Sequence, residues 1–211
     1  TADRAAEIFN QVGLSSDKAA EILAATTLDV NKGAEILASD KLTPEKGAAV
    51  LQSDKIGAAR AAQMLDSATI TADRAAAIFN QAGLSADKSA EILAAAIMNV
   101  DKSAAILESS ELTSGKGAAV LQSDKIGAAK AAQILDSDQI SSAKAADIVD
   151  QAVLTAEKAA DILGQVEKTK AGQIMEMVSN NKVEAIINEM PEQQLVARLP
   201  EMTAEKLHTL S

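Results

Sequence analysis

The chain has 211 residues, 30 acidic against 20 basic, and its hydrophobic fraction of 47% includes two Phe but no Tyr, Trp or Cys. Without cysteine there is no disulfide framework, thiolate metal site or cysteine nucleophile, although the compartment stays open. The net charge of -10 is spread along the chain and reads as a solvated face. Lacking clustered basic residues and aromatics, the chain is not expected to bind nucleic acid. No apolar run approaches the roughly 20 residues that span a bilayer, so direct membrane insertion is not expected either.

From Thr1 to about Leu154 the sequence repeats every fourteen residues. Ser15-Ser16-Asp17-Lys18-Ala19-Ala20-Glu21-Ile22-Leu23 returns as Ser85-Ala86-Asp87-Lys88-Ser89-Ala90-Glu91-Ile92-Leu93. So short a period predicts one short helix per unit and an all-α solenoid in which each unit mainly contacts its neighbours. Thr1 already falls inside a repeat, which reads as a mature product or an excised piece of a longer protein.

Each predicted helix is specified at its start. Position 1 of twelve successive units holds Thr1, Ser15, Asp29, Thr43, Gly57, Thr71, Ser85, Asn99, Thr113, Gly127, Ser141 and Thr155, all preferred N-caps. Pro44 stands at the first helical position, and Asp3, Asp17, Glu45, Asp73, Asp87, Asp101 and Glu157 put a carboxylate at the positive end of the dipole. Positions 5, 6, 8 and 9 read small, small, large, large, as in Ala5-Ala6 with Ile8-Phe9. This gives an apolar stripe whose small pair lets helices approach closely. A further apolar residue at position 14 (Leu14, Leu28, Leu42, Ile56, Ile70) is placed to staple onto the next helix. Each unit is therefore a helix of about nine or ten residues and a short turn.

Position 4 is always basic: Arg4, Lys18, Lys32, Lys46, Arg60, Arg74, Lys88, Lys102, Lys116, Lys130, Lys144 and Lys158. A cation in the first turn opposes the helix dipole, so its recurrence requires a compensating partner. Its stem is expected to cover the small pair while its head meets the preceding helix's C-terminal carbonyls or a nearby carboxylate. The functional alternative is a basic ladder for an acidic polymer.

Residues 1–70 and 71–140 are identical at 50 of 70 positions, a duplication of five units. Gly-Ala-Ala-Val-Leu-Gln-Ser-Asp-Lys-Ile-Gly-Ala-Ala occupies both 47–59 and 117–129, through either recent copying or a repeated binding surface. Further units run over 141–166. From Lys158 to Lys170 to Lys182 the spacing shortens to twelve, so 167–211 is read as shorter units with altered curvature from about residue 165, all within one elongated domain, 1–211. Four methionines in the last forty residues read as a terminal-unit core.

The C-terminal units, with Asn188-Glu189-Met190-Pro191-Glu192 and Leu199-Pro200-Glu201-Met202-Thr203-Ala204-Glu205-Lys206-Leu207, resemble the N-terminal domain of MgtE magnesium transporters and related flagellar-motor modules. That resemblance implies a right-handed superhelix and a cytoplasmic regulatory domain whose acidic faces help sense a divalent ion. The fourteen-residue period departs from that family. The long array is also similar to tandem repeats of microbial and archaeal surface proteins, which implies a cell-surface or extracellular setting. Neither resemblance carries a functional residue across.

The sequence holds no phosphate loop, dinucleotide fingerprint, EF-hand or metal-binding histidine pair. Its one histidine, His208, is read as a surface or end-packing residue. The expectation is a chain with no catalytic, cofactor-binding or metal residues, serving as a scaffold or spacer in a larger surface-associated protein through protein contacts or self-association. The alternatives are a solenoid that binds a peptide or partner helix and an MgtE-like module with weak divalent-cation binding.

Overall fold

The computed structural model describes residues 1–209, and among them every regular element is helical. Twelve short helices follow the fourteen-residue repeat: α1 (Ala2–Asn10), α2 (Ser16–Ala24), α3 (Val30–Ala38), α4 (Pro44–Gln52), α5 (Ala58–Asp66), α6 (Ala72–Phe79), α7 (Ala86–Ala94), α8 (Val100–Glu108), α9 (Ser114–Gln122), α10 (Ala128–Asp136), α11 (Ser142–Val149) and α12 (Ala156–Leu163). Nine of them span nine residues, within the length the repeat pattern suggests, and α6, α11 and α12 span eight. All twelve N-cap residues stand where the sequence puts them. Ten accept a backbone N–H with the side chain, and Gly57 and Gly127 do not.

The stacking register is a finding of its own. Each helix packs chiefly on the helix two units away and far less on its sequence neighbour, so α1, α3, α5, α7, α9, α11 and α13 (Lys168–Met177) form one column. The even helices through α14 (Asn180–Glu189) form the other. Over the fourteen-residue repeat the joints between layers link residues 31 to 37 positions apart, so one turn of the solenoid takes somewhat more than two units. Gly47 shows the contact directly: a Cβ there would stand 3.2 Å from the Ile78 side chain, and Gly117 faces Ile148 in the same way. Position 5 is therefore small to admit position 8 of the unit two ahead. One contiguous apolar core runs from Ala6 to Met202 between the columns.

Past residue 165 the helices lengthen as the links contract. α13 and α14 have ten residues each, with two residues between them, yet they still stack on α11 and α12. The chain ends its described part with α15 (Glu192–Arg198), a 3-10 turn Leu199–Glu201 that packs on α13, and α16 (Ala204–Thr209). Met175, Met190 and Met202 are buried there, as the terminal-core reading expects, whereas Met177 is exposed.

Candidate functional site

The recurrent cation is the one side chain whose chemistry the repeat leaves open. From Lys46 to Lys158 every position-4 cation donates to the carbonyl 32 residues earlier, the last residue before an N-cap. Lys46 Nζ reaches the Leu14 oxygen at 2.7 Å, Lys88 that of Ile56 at 3.1 Å and Lys144 that of Leu112 at 2.9 Å. Arg74 also takes the Leu37 oxygen at 2.9 Å and the Ser39 oxygen at 3.0 Å, closing the C-terminus of α3. The carbonyl partner expected from the sequence is thus present, but it belongs to the unit three back and not to the preceding one. A cation at a helix C-terminus is favoured by the dipole and satisfies orphan carbonyls. That offsets its unfavourable place in its own first turn. Burial in the joint between turns holds the Lys102 and Lys116 ammoniums below the ordinary lysine pKa of 10.5.

Two further ladders run beside this one. The Ser39 hydroxyl donates to Asp3 at 2.7 Å, Ser53 to Asp17 at 2.6 Å, Ser109 to Asp73 at 2.7 Å, Ser123 to Asp87 at 2.6 Å and Ser137 to Asp101 at 2.7 Å. The position-3 carboxylate, read in the sequence as a dipole partner, is also a joint between turns. The last helical side chain accepts the N-cap amide 33 residues on, as Gln52 does from Ser85 at 2.8 Å and Asp66 from Asn99 at 3.0 Å.

The ladder outlasts the change of period. Lys170 donates to the Ile140 oxygen at 2.7 Å and Lys206 to that of Val178 at 2.6 Å. The twelve-residue spacing next asks for a cation at 194, where Gln194 stands, and Arg198 one helical turn later supplies it. Its Nε takes the Leu163 oxygen at 2.8 Å, and its Nη2 takes those of Gly164 at 2.7 Å and Val166 at 2.9 Å. Arg198 is buried, and its replacement of the missing lysine is invisible to a reading by strict spacing.

The first turn behaves differently. Arg4, Lys18 and Lys32 have no carbonyl behind them and pair instead with Glu7 at 3.3 Å, Glu21 at 2.8 Å and Glu35 at 2.8 Å on their own helices. Beside them, Thr1, Ala2, Ala5, Leu28, Lys32 and Ile36 line a mainly apolar hollow of about 340 Å3.

Two further depressions occupy equivalent places in successive units. A groove of about 250 Å3 is bordered by Gln122, Asp124, Thr155, Glu157, Lys158 and Asp161. Its counterpart one unit on is bordered by Asp136, Asp138, Glu167, Thr169, Lys170 and Gln173. The identical segments 47–59 and 117–129 begin inside α4 and α9. His208 is exposed on α16. Among the described residues no three His, Cys, Asp or Glu side chains gather closely enough to hold a metal ion, and no helix is long and apolar enough to cross a membrane. No family model, curated protein or solved structure matches the chain.

Proposed function

We propose that the chain is a noncatalytic scaffold or spacer that mediates protein contacts by holding them at a fixed separation within a larger, surface-associated repeat protein. The observation that carries this reading is the commitment of the recurrent polar groups to the architecture. The position-4 cations close helix ends three units back, the position-3 carboxylates accept serine hydroxyls, and the last helical side chains cap helices three units on. One polar groove recurs in equivalent places of two successive units. Catalysis calls for a unique convergence of groups, whereas a periodic stack supplies length and orientation. The surface-associated setting rests on the likeness to microbial surface repeats.

The repeated polar groove supports a second reading as a module for an extended partner. The MgtE-like ion-responsive reading rests on the C-terminal resemblance. All three readings part in one experiment. The chain lacks cysteine, so Gln11→Cys and Gln133→Cys, both at exposed positions, accept spin labels specifically. At 8–10 Å per helix layer, the roughly four layers between them give a separation of about 30–40 Å. A spacer gives one narrow distance that is unchanged by magnesium at about 10 mM, a concentration above most physiological sites. A magnesium-dependent shift, or a broad distribution, sinks the spacer reading. A partner whose capture is lost when groove residues of several units are changed would replace it with the binding module.

A further inference from the structure

We draw no further inference here: the strongest candidate, the polar groove bordered by Asp124, Glu157 and Asp161 at the N-terminus of α12, is an acidic cluster that belongs to the site already described, with no second feature to point to a ligand.

Discussion

Thr1-Ala2-Asp3-Arg4-Ala5-Ala6 and Thr71-Ala72-Asp73-Arg74-Ala75-Ala76 are the same six residues, and both begin helices capped by their threonine. There the likeness stops. Arg4 lies along its own helix against Glu7, while Arg74 reaches back to Leu37 and Ser39. Ile8 is partly in solvent and Ile78 has none of its surface exposed. At position 7 the copies differ, with Glu7 beside Arg4 and Ala77 at the matching place beside Arg74. Local sequence thus decides that a helix forms and where it starts, and the neighbouring turn decides what its side chains do.

The widest gap between the two copies is expected in the core. Ile78→Ala removes three carbons from a filled joint and is expected to cost about 2–5 kcal/mol, whereas Ile8→Ala, already half in water, costs under about 1 kcal/mol. Paired urea unfolding curves measure both, and equal costs would contradict the packing of position 8 against position 5 of the unit two back. The arginines come next. Arg74→Gln gives up charge-assisted bonds to carbonyls and is expected to lose about 1.5–3 kcal/mol, against about 0–0.5 kcal/mol for Arg4→Gln at a surface ion pair.

A smaller and more local effect follows from one joint that differs between the copies. Gly33 faces Met64, and a Cβ at residue 33 would run into the Met64 sulfur. Seventy residues on, both partners have changed, to Ser103 and Ile134, and Ser103 is fully buried with its hydroxyl on the Asn99 carbonyl at 2.9 Å. Gly33→Ser alone is expected to destabilise by about 1–2 kcal/mol through overpacking, and adding Met64→Ile to recover most of it. A double-mutant cycle that comes out additive would show that the two sites do not share a joint.

Much of this was legible before any coordinates. The N-caps, the apolar stripe and the need of the position-4 cations for a partner all follow from local chemistry that recurs with the period. Three things did not follow. That each helix rests on the helix two units away is a property of the turn's path, and a period of fourteen residues is compatible with either stacking. Ser39, Ser53 and Ser109 look like ordinary turn residues, because their acceptors lie 36 positions earlier on a different helix. Arg198 escapes a strict spacing rule because a long side chain one helical turn away reaches the same carbonyls that a lysine at 194 would.

The least of the expected effects is also one in which the two regions take opposite signs. In the interior, burial lowers the pKa of Lys102, Lys116 and Lys182 below 10.5. Between those lowered values and 10.5 the unfolded chain binds more protons than the native one, so these lysines make stability rise with pH across that window. In the first turn, the hydrogen bond and attraction of Glu21 raise Lys18. Its contribution is fully present below 10.5 and is lost as pH climbs through the raised value. Replacing the three interior lysines by arginine, which stays charged throughout, is expected to remove the rising part and leave only the decline. The measurement is the difference in urea midpoints between wild type and the triple variant from about pH 9 to about pH 11. A difference that does not change with pH would mean that the joint between turns solvates its ammoniums as well as water does, and that the carbonyls receiving them, and not burial, set their charge.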